Sequence, residues 1–242
     1  MNAKTKKLLI YISLLVTFCT LLTGCTPKVE KRYQQYVKAL ISLNYLGVSE
    51  DYLAATGSSE ADAQALYEKN IDYLTDNLLA YYQVRVDNAP EIREQYRELA
   101  KHIYSKINFS VSKAYKYGSV YLVDITIYPI DLFNQTAPEV SAYIEKFNED
   151  VANGVYNDYD IAQYETAFST GLLDILNKGC DQMTYADPIQ LTAEIVEEGK
   201  TYYLTERDLL DIDACMFSTV ITQTEDSGTD STDSTDSTEE GE

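Results

Sequence analysis

The chain predicts an α+β domain: an antiparallel sheet built from two β-hairpins and packed against several helices. Three observations carry that expectation. Runs with period two come as adjacent pairs instead of alternating singly with helices, which argues against a parallel βαβ sheet. Apolar stripes with helical period precede the first pair and separate it from the second. The 242 residues are 45% hydrophobic, enough for one sizeable core without a structural metal or a disulfide framework. Charge narrows the function classes: 39 acidic residues against 19 basic ones leave a formal charge of −20. Phosphate recognition needs a basic surface, so a nucleic-acid partner is excluded.

The first 24 residues are a targeting segment. Lys4, Lys6 and Lys7 form a positive region before the apolar stretch Leu8 to Leu22, which is short for a membrane span. It ends in Leu22-Thr23-Gly24-Cys25, which resembles the bacterial lipobox. The resemblance implies cleavage before Cys25 and a diacylglycerol on its sulfur, so that membrane lipid is the first partner. Two acyl chains give stable anchoring where one does not. The expected location is the extracytoplasmic face of the bacterial cell membrane, with residues 25–30 as the lipidated N-terminus and a short linker.

The globular body is expected over 31–222. Tyr33, Val37, Leu40 and Ile41 mark a first helix; Ala63, Tyr67, Ile71, Leu74, Leu78 and Tyr82 a second; Ile92, Tyr96, Leu99 and Ile103 a third. Asn88-Ala89-Pro90-Glu91 and Thr136-Ala137-Pro138-Glu139 each place a capping side chain three residues before Glu, with Pro in the first turn, and so predict helix starts. Between them the period falls to two. Phe109, Val111, Lys113 and Tyr115 alternate with smaller residues, Tyr117-Gly118-Ser119 turns, and Val120 to Ile127 returns. Val140, Ile144, Phe147 and Val151 form a fourth helix. A fifth, Ile161 to Ile175, is expected to stop at Gly179. The second hairpin puts Ile189, Leu191, Ala193 and Ile195 on one face, turns at Glu198-Gly199 and returns through Leu204; Thr205 to Asp208 caps a last short helix.

Residues 223–242 read as a disordered acidic tail. From Thr224 onward there are eight acids, no base and three successive Asp-Ser-Thr units, with no apolar side chains whose burial would offset ordering.

Several segments together resemble lipoproteins of Gram-positive bacteria. They are an aromatic helix after a lipobox, Glu-Ala-x-Ala-x-x-Leu-Tyr at Glu60 to Tyr67, Ile-Tyr-Pro-Ile-Asp-Leu-Phe at Ile127 to Phe133, and Tyr-Tyr-Leu-Thr-Glu-Arg-Asp-Leu at Tyr202 to Leu209. Those families carry no assigned activity, and some are similar to the NTF2-like cone fold. The resemblance implies a lipoprotein with a cone-like body. Two consecutive helices between the strand pairs depart from an ordinary cone, and a fold of this kind does not specify function.

Candidate chemistry is sparse. His102 is the only histidine; in a cone-like fold Asp124 would be its natural orienting carboxylate, giving a dyad near a pocket. The alternative is a histidine on a helix flank and an aspartate facing solvent. The common nucleophile, P-loop, dinucleotide and zinc-protease motifs are missing, so neither a metal nor a cofactor is expected. Cys180 and Cys215 could form a disulfide outside the cytoplasm or serve as two small buried side chains. Tyrosine is the strongest compositional bias, 22 residues with no Trp. Tyr81, Tyr82, Tyr115, Tyr117, Tyr202 and Tyr203 are candidates for a groove that stacks a glycan or packs an envelope protein; the other reading is that tyrosines fill the core. The favoured function is a membrane-anchored, non-catalytic binding module, and the alternative is a cell-surface enzyme using His102.

Overall fold

The computed structural model describes residues 28–199 and 201–219. The expected signal segment 1–24, Cys25 with most of the expected linker, and the expected tail 223–242 lie outside the described residues. The element order is α1 (Val29–Leu46), α2 (Glu50–Thr56), α3 (Glu60–Tyr81), α4 (Glu91–Tyr104), β1 (Asn108–Val111), β2 (Tyr115–Tyr117), β3 (Val120–Tyr128), α5 (Leu132–Ala152), α6 (Ile161–Asp181), β4 (Ile189–Glu198), β5 (Thr201–Leu204) and α7 (Glu206–Ala214). This is the expected α+β class with one helix added. α2 is seven residues long, too short to display a stripe. Tyr52 buries it against the core, and Gly47 and Gly57, with φ of 68° and 71°, turn the chain at either side.

The sheet runs in the order β1-β3-β4-β5, with β2 also on β3, and every pairing is antiparallel. The first hairpin departs from the simple alternation. β1 pairs Val111 with Ile125, whereas β2 pairs Tyr115 with Leu122, so one extra residue is accommodated at Lys113-Ala114. That is a β-bulge, and it flips every later side chain to the other face. Lys113 stays exposed and Ala114 takes the buried place. Phe109 and Val111 share the core face with Ile125 and Ile127, but Tyr115, expected to continue that face, points with Tyr117 to the solvent side. The sheet is curled, in keeping with such a bulge.

α1 lies on the inner face of the sheet. Its Tyr33 meets Tyr121 and Tyr202 edge-on at 5.1 and 4.9 Å, and Tyr36 meets Tyr202 at 5.0 Å. The Tyr33 hydroxyl donates to Glu197; burial, and then this neighbouring carboxylate, push its phenol up to about 12. α3 packs on α1 and α4, α4 on α6, and α6 on α5, so the helices step outward from the sheet. Arg93 and Arg97 of α4 pair with Glu68, Asp72 and Asp76 of α3.

Three expected helix boundaries move. α5 begins at Leu132 instead of Thr136, and Pro138 lies inside it. Leu132 and Phe133 are buried, so packing recruits the extra turn despite the missing amide of Pro138, and Thr136 donates its hydroxyl back to the Leu132 carbonyl at 2.8 Å. Asn88 does not cap α4; its amide reaches Glu165 at 3.3 Å. Gly179 does not end α6, which continues to Asp181. A Cβ there would lie 2.5 Å from Thr136 Cγ2 and 2.7 Å from Leu132 Cδ1, so this glycine serves the close approach of α5 and α6. Thr205 and Asp208 form the capping box expected at α7.

Candidate functional site

A cleft among the described residues opens where the end of α3 meets the α5–α6 pair. Its volume is about 760 Å³, within the usual range for small-molecule sites. α3 ends in Tyr81 and Tyr82, whose rings meet edge-on at 4.9 Å. Gln83 then adopts φ 55°, the one positive φ at a non-glycine among the described residues. A left-handed residue at that point reverses the chain and lets Val84 turn inward, its amide donating to the Leu79 carbonyl at 2.8 Å. Tyr81, Tyr82, Gln83 and Arg85 thus form one wall.

The opposite wall is aromatic. Phe147 of α5 sits 5.4 Å from the Tyr164 ring and 5.1 Å from Phe168 on α6. The α5–α6 seam beneath is tight because Gly171 lets Tyr143 cross it: a Cβ at Gly171 would overlap the Tyr143 ring. The Tyr143 hydroxyl donates to the carbonyls of Ala167 and Phe168 at 3.1 and 2.9 Å, and burial pushes its phenol up to about 12. Ile161, at the mouth, is 65% exposed.

Within this apolar wall lies one acid. Glu165 lines the cleft and is only 8% exposed. Its Oε1 accepts from Asn88 Nδ2 at 3.3 Å; its Oε2 is buried and has no hydrogen-bond partner among the described residues. A buried polar atom left in that condition calls for an explanation. Arg85 lines the cleft on the exposed side and makes no ion pair with Glu165.

The residues singled out from the sequence fall into different places. His102 lies on α4, outside the cleft, with Nδ1 3.0 Å from Asn177 Oδ1 and Nε2 3.4 Å from Asp181 Oδ1 on α6. Asp124 sits on the solvent face of β3, accepting from the Tyr115 hydroxyl at 3.1 Å and from Thr192 Oγ1 at 2.8 Å. The two do not meet, because alternation along β3 turns Asp124 away from the core that α4 joins. Nor do the six tyrosines share a groove. Tyr81 and Tyr82 line the cleft; Tyr115 and Tyr117 stand on β2, Tyr117 being 71% exposed; Tyr202 is buried under α1, and Tyr203 alternates to the other face of β5. Cys180 and Cys215 are both free thiols, and burial pushes Cys180 up to about 12, which makes it unreactive. Among the described residues no cluster of three His, Cys, Asp or Glu could hold a metal ion.

Glu165, Phe147, Phe168 and Tyr164 were absent from the sequence-based candidates. Glu165 had a signal: in the series Ile161, Glu165, Phe168, Leu172, it occupies a place on the apolar stripe of α6.

Among the described residues no helix is long and apolar enough to cross a membrane. No family model matches the chain, and no curated protein matches it. A solved structure does: the crystal structure of ycdA from Bacillus subtilis, described there as a candidate lipoprotein, with a TM-score of 0.52 at 15% identity. The match covers 77% of this chain but 57% of that one, so this chain spans little more than half of its neighbour's length. At that identity the likeness is one of fold, and the α+β architecture is what the two share.

Proposed function

We propose that this chain is a bacterial envelope lipoprotein, held at the extracytoplasmic face of the membrane through lipidated Cys25, whose α+β body binds a ligand in the cleft between α3, α5 and α6. The anchor rests on the Lys-rich, apolar and lipobox order of residues 4–25. The fold likeness to ycdA, itself described as a candidate lipoprotein, is in keeping with it. A cone-like body fits the curled antiparallel sheet with α1 on its inner face. The binding role is carried by one observation: the cleft wall formed by half-exposed Tyr164 and Phe168 over buried Phe147 encloses the incompletely satisfied Glu165. A wall serving only stability would cover Tyr164 and exclude the acid.

Two measurements test the two halves. Metabolic labelling with a fatty acid should mark the wild-type protein and fail for Cys25→Ala; an unlabelled wild type refutes the anchor. Saturation-transfer NMR with the neutral probe 4-hydroxyphenylethanol should give signal on the full chain and lose it in Ala137→Trp, which fills the cleft. No transfer to the wild type would refute the binding site.

A further inference from the structure

The inner end of the cleft offers a chemically specific feature. α6 presents Ile161, Glu165 and Phe168 on one stripe, and a carboxyl group at the middle position breaks the pattern that an apolar wall requires. Among the described residues its one partner is a neutral amide at 3.3 Å, on Oε1, and Oε2 has none. Such an oxygen is completed by a donor from outside, and best by a charged one. The rings around it favour the same sign, since aromatic faces attract cations and do nothing for anions. Among the described residues lining the cleft, Glu165 is the one acid and Arg85 the one base. Arg85 lies on the exposed wall and makes no ion pair with Glu165, so the buried acid at the inner end of the cleft is left without a charged partner among the described residues.

We propose that the cleft takes an organic ammonium ligand, a primary amine carried on an aromatic or apolar body, with its charged head donating to Glu165 Oε2 and its body against Tyr164, Phe168 and Phe147. The inference rests on the cleft being a binding site and adds the charge of what it binds. The acidic protein as a whole, at −20, draws cations toward its surface. Arg85 is then a competitor for the same oxygen and not a ligand-binding residue.

Three probes with one body and three charges test this on the full chain by calorimetry: tyramine, 4-hydroxyphenylethanol and 4-hydroxyphenylacetate. Tyramine should bind about tenfold or more tighter than the alcohol, the tenfold step expected of one charge-assisted hydrogen bond, and the carboxylate weakest of the three. Glu165→Gln should erase the preference for tyramine while leaving the alcohol unchanged. Arg85→Ala should keep tyramine binding equal or make it tighter. Equal binding of amine and alcohol to the wild type would overturn the ammonium assignment while leaving the cleft a binding site, and that comparison stands even if Glu165→Gln does not fold. A loss in Arg85→Ala matching that in Glu165→Gln would also overturn it, whereas no binding of any probe overturns both readings.

Discussion

Two aromatic clusters of similar composition do different work in this molecule. Tyr33, Tyr36, Tyr121 and Tyr202 close the space between α1 and the sheet, with ring centroids near 5 Å apart and three of the four rings almost entirely buried. Phe147, Tyr164 and Phe168 have comparable spacings between α5 and α6, yet Tyr164 is 38% exposed and the cluster is a wall. The difference lies in what covers each. α1 crosses the sheet and seals the first; the second has only Tyr156, stacked 4.7 Å from Phe147, laid against it, and Tyr164 stays exposed. Ring content therefore measures neither core nor site until the covering element is known.

Substitutions should separate the two clusters. The largest effect is expected at the sealed one: Tyr202→Ala leaves a hole beneath α1 and should cost about 3–5 kcal/mol, seen as a lowered midpoint in urea. A loss under about 1 kcal/mol would mean that α1 collapses onto the sheet without it. At the seam below the open cluster, Gly171→Ala forces Tyr143 out of its place and breaks its bonds to Ala167 and Phe168. Repacking of this kind costs about 1–3 kcal/mol, against a helix-propensity gain of up to about 1 kcal/mol; thermal unfolding of the variant checks the sign.

A smaller effect is expected from acid. Asp213 is exposed as a residue, but its carboxylate turns in to accept from the buried Tyr45 hydroxyl; desolvation there pushes it up to about 6 from 3.8, opposed by that hydrogen bond. The folded state then holds an extra proton between those values, so this group adds stability as pH falls from about 6 toward 4 and withdraws it as pH rises. Asp213→Asn should flatten that part of the wild-type melting curve against pH; an unchanged slope would refute the assignment. The smallest stability effect belongs to the open wall. Tyr164→Ala should change stability by less than about 0.5 kcal/mol while abolishing saturation transfer to 4-hydroxyphenylethanol. A large loss of stability there would make the wall part of the core after all.

The sequence carried the period of most elements because α1, α3, α4, α5 and α6 each bury one face. α2 escaped because seven residues make less than two full turns of pattern. The bulge at Lys113-Ala114 escaped because one extra residue changes register without changing composition. Pro138 and Gly179 were read as boundaries on local preference, and tertiary contact with Leu132 and Thr136 overrode it. For the candidate site, Tyr81 and Tyr82 were legible as an unusual pair, but Phe147, Tyr164 and Phe168 looked like core. Helical periodicity shows that a stripe is apolar; it carries no information about whether another element comes to lie on it.

The long ladder between β3 and β4 has a consequence for how the chain folds. Seven residue pairs join these strands, from Tyr121 with Ile195 to Ile127 with Ile189, so even the nearest partners are roughly 60 residues apart in sequence. Closing so long a segment as loose chain delays the reward of pairing until much entropy has been lost. If α5 and α6 zip into a helical hairpin first, the strand ends are delivered together and the closure shrinks to a few linking residues. The insert that carries the cleft would then also set the tempo of assembly. Weakening its seam at Gly171 should slow refolding, while Tyr164→Ala on its outer wall should leave the refolding rate unchanged.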